Sequence, residues 1–335
     1  MRIHQQELLN VFKEILIKKG FTEEDATVSA DLLVQNSLDG VYSHGVNRFA
    51  RIISYLDKGY IKPGHKPECL ASFGALEKWD GNLGMGNLNA RICMDRAIAL
   101  AKQYGIGCVA LRNTNHWMRG GAYGLQAADQ GCIGICWTNT MPNMPAWGAK
   151  DRRIGNNPLI MCVPKADGHI LCDAAMSQFS YGAIESARLA GRRLPVPGGY
   201  DAAGNLTQDP AAIEKTWRVL PIGFWKGSGF AIMMDLIAAC LADGNTTCRI
   251  GRQSPDEFGV SQIFIAIDVQ KAGSDSETLI REALADLKDS ERLDPETEIL
   301  YPGERAYRTR CDNLQNGIPV NDQVWQTILT IRKGL

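Results

Sequence analysis

The chain has 335 residues, 45% of them hydrophobic and 22% charged, with 36 Lys and Arg against 37 Asp and Glu and a formal net charge of −1. That balance excludes a disordered or collagen-like chain and argues against nucleic acid as a partner, leaving a globular protein long enough for at least two structural units. No apolar run approaches the ~20 residues of a membrane helix, and residues 1–20 are a charged amphipathic stretch rather than a signal peptide, so a cytoplasmic protein without a membrane partner is expected.

Along the chain, Leu8, Leu9, Phe12, Ile15 and Leu16 recur at helical spacing up to Gly20. Thr22 offers an N-cap and Glu23, Glu24 and Asp25 suit the first turn of a second helix that runs to Asp39-Gly40. A third helix is predicted over 44–56, with Phe49, Ile52, Ile53 and Leu56 as its apolar positions and Pro63 and Pro67 closing it off. Residues 80–89 are rich in Gly and Asn, and 90–104 reads as a helix ended by Gly105. Short apolar runs at 106–111, 132–138, 159–163, 170–172 and 263–269, bounded by Gly, Asn, Pro or Asp, predict buried strands. Helical segments near 124–130, 183–191, 229–242 and 277–287 alternate with them. The expected organisation is an N-terminal helical segment, 1–80, packing with a C-terminal segment, 300–335, around an α/β core at 81–299.

The ten cysteines include no CxxC pair and no His/Cys cluster at zinc spacing, so they read as small buried hydrophobes in a reducing compartment, and no metal is expected. Gly84-Met85-Gly86 follows no clear strand and lacks a third glycine, which argues against a standard Rossmann domain. There is likewise no P-loop, GxSxG elbow or HExxH.

Of five histidines, His4 lies in the terminus, His65 between two prolines and His169 at a turn beside Gly168; these read as structural or solvated. His44 and Arg48 stand four apart, on one face if their segment is helical. An imidazole can give a proton to a carbonyl oxygen and a guanidinium can grip a carboxylate with two parallel bonds, which together suit an anionic keto substrate. The alternative is an N-capping Ser43 followed by ordinary surface groups. His116 follows the strand at 106–111 within Asn113-Thr114-Asn115-His116-Trp117-Met118-Arg119-Gly120-Gly121. That is where α/β proteins gather ligand-facing loops, although a capped turn with a packed Trp has the same pattern. Trp225-Lys226-Gly227-Ser228-Gly229 precedes an apolar run expected to be a buried helix, giving either a phosphate seat or a flexible helix start with a snorkelling lysine.

Gly40-Val41-Tyr42-Ser43-His44-Gly45-Val46-Asn47-Arg48-Phe49, the His116 loop and Trp225-Lys226-Gly227-Ser228-Gly229 together resemble the type-2 malate/L-lactate dehydrogenase family. The similarity extends through Gly155-Asn156-Asn157-Pro158-Leu159-Ile160 and Ser261-Gln262-Ile263-Phe264, and so covers nearly the whole chain. The resemblance implies an α/β, non-Rossmann NAD(P)-binding fold with a mixed sheet and helical N- and C-terminal segments, in a homodimer whose active site lies near the subunit interface. It makes His44 the proton donor to a ketone oxygen and Arg48 a clamp for a substrate carboxylate, with His116 as a second acid/base candidate. Cofactor contacts carry over onto His169, Ile170, Leu171, Cys172, Asp173, Ala174 and Ala175, onto Trp225 and Lys226, and onto Gly303, Glu304 and Arg305. The implied reaction is reduction of a 2-oxo or 2,3-dioxo sugar acid, foremost 2,3-diketo-L-gulonate, by NADH, with NADPH as the other donor. Malate, lactate, ureidoglycolate or a cyclic imine are the alternative substrates, and a non-catalytic sensor of NADH or a sugar acid is the alternative from another class.

Overall fold

The computed structural model describes residues 1–271, 273 and 275–335. After a short strand β1 (Arg2–Ile3), the helical spacing at the N-terminus gives α1 (Gln5–Lys18), which buries Leu8, Val11, Phe12, Ile15 and Leu16. α2 (Glu23–Leu38) starts on Thr22, whose side chain accepts the Asp25 N–H as a cap.

The expected helix over 44–56 is not continuous. Two 3-10 turns, Tyr42–His44 and Val46–Arg48, are separated by Gly45, and α3 begins only at Phe49 (Phe49–Asp57). Contact with α2 is the cause: a Cβ on Gly45 would sit 2.2 Å from Ser37 Oγ and 2.9 Å from Leu33 O. The turn is tied down there by Val46 N–H donating to Ser37 Oγ at 2.9 Å and Asn36 Nδ2 donating to His44 O at 3.0 Å. His44 and Arg48 therefore do not share one α-helical face.

Residues 68–80 also depart from the expected helical segment, forming the hairpin β2 (Glu68–Phe73) and β3 (Leu76–Asp80). β2 is exposed almost throughout, so no buried face marks it in the sequence. Then come α4 (Gly86–Tyr104), β4 (Ile106–Thr114), α5 (Gly121–Asp129), β5 (Cys132–Thr138), β6 (Met144–Pro145), β7 (Arg152–Ile154), β8 (Leu159–Val163) and β9 (Ile170–Ala174). The remainder is α6 (Tyr181–Leu189), β10 (Gly199–Tyr200), β11 (Leu206–Thr207), α7 (Pro210–Thr216), α8 (Trp225–Ala242), α9 (Thr247–Gln253), β12 (Val260–Asp268), α10 (Ser276–Lys288), α11 (Glu304–Asn316), β13 (Ile318–Pro319) and α12 (Asp322–Lys333).

Seven strands form one sheet in the order β2-β3-β4-β12-β5-β8-β9, with β3 and β4 parallel and the other neighbours antiparallel. Strand alternation divides the core. Val109, Leu111, Cys136 and Phe264 pack against Cys93, Met94 and Ala97 of α4 and Ala127 of α5, while Ala110, Trp137 and Ile263 pack against Ala231, Met234 and Ala238 of α8. A third cluster joins the chain ends: β1 pairs with β13, and Trp325 and Ile328 of α12 pack among α1, α2 and α3.

The expectation for 225–241 needs two corrections. Trp225 to Gly229 form the first turn of α8 rather than a lead-in, and the helix is not buried all round: Phe230, Met233 and Leu236 are 58%, 54% and 46% exposed. An apolar-all-round sequence hides this, because small residues take the sheet side and large ones face outward. With 18 residues at a mean hydropathy of 1.3, α8 is also long and apolar enough to pass for a membrane span. It is nonetheless pinned to the sheet by Trp137 Nε1 donating to Met234 O at 3.1 Å and Asn139 Nδ2 donating to Asp235 Oδ1 at 2.8 Å.

Candidate active site

β4 delivers His116. Just beyond the strand, buried Asn115 donates from Nδ2 to the carbonyls of Tyr60, Leu83 and Gly84 at 2.9, 3.0 and 2.9 Å, which fixes the chain before it turns. Met118 takes a left-handed conformation, φ 69°, and its N–H donates to His116 Nδ1 at 3.0 Å. The loop so formed lays the His116 ring against that of His44, with centroids 5.6 Å apart and planes 20° from parallel. Sequence spacing gave no sign that the two would meet. His44 Nδ1 in turn contacts Ser43 Oγ at 3.0 Å.

The pair does not titrate near neutrality as a free imidazole does. Burial, reinforced by the positive charges of Arg48 and Arg119, lowers His44 to about 4. Burial followed by Arg48, His44 and Arg51 holds His116 well below its ordinary value. Arg48 is itself partly desolvated, has Arg51 as a like charge nearby, and makes no direct ion pair among the described residues. The acidic group that acts on it is Glu257, whose carboxylate accepts the Met141 N–H at 2.9 Å and is raised by burial against the lowering pull of that bond, Arg48 and Arg51. The resting cluster is therefore cationic with two neutral imidazoles, able to take an anion and to pass a proton once the anion's charge is present. Neither Ser43, Glu257 nor Arg119 was picked out as a site residue from the sequence. Arg119 and Ser43 lie inside quoted motifs, but Glu257 carried no signal.

The stretches expected to hold a cofactor come together in part. β9 is an edge strand; its Leu171 N–H donates to Pro302 O at 2.9 Å, and Gly303, φ 96°, lies so close that a Cβ would be 2.9 Å from Leu171 N. Gly303, Glu304 and Arg305 thus open α11 alongside Ile170 and Leu171. The Glu304 side chain is committed elsewhere, to Lys288 at 2.6 Å and Arg308 at 2.5 Å, whereas Arg305 is exposed. At the other end of β9, beyond Cys172, Asp173 Oδ2 accepts the Gly121 N–H at 2.9 Å. Past Ala174 and Ala175, Met176 O accepts the Ile222 N–H at 2.9 Å, bringing up exposed Trp225 and Lys226. His169 uses its ring to anchor the β8–β9 turn, with Nε2 2.9 Å from Asp129 Oδ1 and Nδ1 accepting the Lys165 N–H at 3.1 Å. A cleft of about 570 Å³ opens there, between Lys165, His169, Ile280, Arg281 and Leu284, at the opposite end of β9 from Asp173. His65 contacts Asn82 O at 3.1 Å, in keeping with a structural role.

The sequence model of the malate/L-lactate dehydrogenase family matches residues 3–329. The chain belongs to the malate/L-lactate dehydrogenase family. It is an oxidoreductase, and the family implies a nicotinamide cofactor. This dehydrogenase-family chain is 48% identical to the 2,3-diketo-L-gulonate reductase of Citrobacter koseri and also to that of Klebsiella pneumoniae, in each case over 330 residues covering 98% of this chain and 99% of the relative. Among solved structures, malate dehydrogenase from Entamoeba histolytica superposes with a TM-score of 0.94 at 26% identity, covering 100% of this chain and 98% of that one. Sulfolactate dehydrogenase from Methanocaldococcus jannaschii gives 0.89 at 29% identity, covering 100% and 97%. The fold shared with these enzymes is the mixed-sheet α/β architecture described above. The residues present fit a dinucleotide: β9 offers an extended strand edge, and Lys226 offers an exposed cation at a helix start.

Proposed function

We propose that this enzyme reduces 2,3-diketo-L-gulonate to 3-keto-L-gulonate with NADH, as a cytoplasmic homodimer. The substrate assignment is supported by near full-length identity to reductases of that name. The observation that carries the chemistry is a half-buried, partly desolvated arginine, Arg48, with no ion-pair partner among the described residues, beside two stacked histidines. A desolvated guanidinium left unpaired is costly, and a substrate carboxylate supplies its partner through two parallel hydrogen bonds.

The bound nicotinamide supplies the hydride. His44 supplies the proton: its Nδ1 is taken by Ser43, which leaves Nε2 for the ketone oxygen. A carboxylate on Arg48 cancels one of the charges that hold the imidazole neutral, so His44 gains proton affinity when substrate is present. His116, stacked behind it, donates from Nε2 and orients the substrate. Residues His169 to Ala175, Trp225, Lys226 and Gly303 to Arg305 hold the cofactor. His169 and Glu304 contribute through the main chain, since their side chains are engaged. For the homodimer, the outward face of α8, with Phe230, Met233 and Leu236, is the apolar surface a second copy covers.

The test is oxidation of NADH, with NADPH alongside, against 2,3-diketo-L-gulonate, pyruvate, oxaloacetate and a cyclic imine acid. The expected result is the highest kcat/KM for diketogulonate with NADH. Activity confined to another acid overturns the substrate, preference for NADPH overturns the donor, and binding without turnover on every acid favours the sensor reading.

A further inference from the structure

We infer that Arg119 is a positioning residue, a clamp that holds the His44 turn, the His116 loop and strand β9 in one register. The inference rests on the roles proposed above for those three segments. Arg119 lies three residues beyond His116, and its side chain is 4% exposed. Nη1 donates to Asp39 Oδ2, at the C-cap of α2 and five residues before His44. Nε lies 3.6 Å from Asp173 Oδ2 on β9 and is without a hydrogen-bond partner among the described residues. One guanidinium thus reaches from the His116 loop to the His44 segment and to the candidate cofactor strand.

The surroundings are built around that contact. Asp39 Oδ1 accepts from Arg310 Nη1 at 2.6 Å, which ties α11 to the same carboxylate, and Arg310 also donates to Gln35. Asp173 Oδ2 accepts the Gly121 N–H, so the row of alternating charges Arg310, Asp39, Arg119 and Asp173 ends on the first turn of α5. A Cβ on Gly121 would lie 2.7 Å from Asp173 Oδ2 and 3.1 Å from Arg119 Nε, which explains a glycine at that position. A buried ion pair is poor value as plain stabiliser, because well-packed apolar side chains do as well. Its directional bonds do what apolar packing does not, fixing orientation. The planar fork of arginine hydrogen-bonds Asp39 from Nη1 while Nε faces Asp173 at 3.6 Å, a two-way reach that an ammonium on a flexible stem does not reproduce.

The experiment compares Arg119→Lys, Arg119→Met and Asp39→Asn with the wild type. kcat is expected to fall about 10- to 100-fold in Arg119→Met, as misalignment by a fraction of an ångström to one ångström does, with partial recovery in Arg119→Lys and a smaller change in KM for the keto acid. Proton NMR titration of the histidines in the resting enzyme gives a readout that needs no substrate. The groups facing His44 are Arg48, Arg119, the Ser43 hydroxyl and His116. Removing the Arg119 charge moves the His44 titration upward, and Arg119→Lys, which keeps a charge, moves it less. Wild-type kcat and titrations in all three variants overturn the clamp, as does a loss that tracks only the folded fraction. If the wild type itself turns over no keto acid, the proposed function fails, and the histidine titration still decides the clamp.

Discussion

His44 and His116 stand face to face, yet the chain holds them by different means. His44 comes from an irregular turn pressed onto α2, and its Nδ1 meets a hydroxyl. His116 comes from a loop nailed to the end of β4, and its Nδ1 meets a main-chain N–H. A hydroxyl both donates and accepts, so Ser43 satisfies Nδ1 whether or not that nitrogen carries a proton. A main-chain N–H only donates, so protonating His116 at Nδ1 would set two donors against each other. His116 is therefore locked as the neutral tautomer with its proton on Nε2, a fixed donor, while His44 can change charge without losing its partner. Of the two stacked imidazoles, the one on the less regular scaffold has the partner that suits the proton cycling proposed for it.

The strongest way to break that contrast is to remove each ring. His44→Ala is expected to lower kcat by about 10²- to 10⁴-fold, the range of a lost general acid, with NADH affinity by fluorescence titration unchanged. His116→Gln is expected to cost much less in kcat and to leave its pH dependence in place. The opposite ranking makes His116 the acid. Arg48→Lys comes next: an ammonium cannot make the two-pronged contact, so KM for the keto acid is expected to rise about 10- to 100-fold with kcat changed only a few-fold. An unaltered KM removes the clamp on the carboxylate.

The same contrast shows what was legible in the sequence. The position of His116 beyond a strand is legible in the sequence because β4, β5 and β8 are apolar runs closed by Gly, Asn or Pro, signals local to each run. The His44 turn has the spacing of a helix in sequence, and the structure departs from it because Gly45 is dictated by Ser37 and Leu33 of a neighbouring element, which no periodicity reports. The meeting of the two rings depends on segments 72 residues apart, and the Arg119 to Asp39 contact on segments 80 apart. The β2–β3 hairpin escaped because an exposed edge strand buries no face, and the outward face of α8 escaped because a helix apolar on every side shows no preferred side.

Protonation sharpens the contrast further. His44 is held at about 4 in the free enzyme, and kcat/KM reports the free enzyme while kcat reports the substrate complex. In the proposed mechanism reduction needs protonated His44, so kcat/KM is expected to decline as pH rises above that value. The limb in kcat is expected at higher pH, by about one to two units, because a carboxylate on Arg48 offsets its charge. Oxidation of the hydroxy acid needs neutral His44 and runs the other way. Coincident limbs in kcat and kcat/KM would mean that the substrate anion does not tune the acid.

The smallest expected effect tests the basis of the comparison itself. Ser43→Ala leaves the ring of His44 in place but removes the group that serves its Nδ1 in both charge states. The imidazolium loses an acceptor worth about 1 kcal/mol, so kcat for reduction is expected to fall several-fold and its alkaline limb to move to lower pH. KM for NADH has no reason to change, because Ser43 lies outside the stretches assigned to the cofactor. If Ser43→Ala keeps both kcat and the position of the limb, the hydroxyl is not what frees His44 to titrate. The difference between the two histidines would then rest on the main-chain N–H that fixes His116 and on the Arg119 charge, which bears on His44.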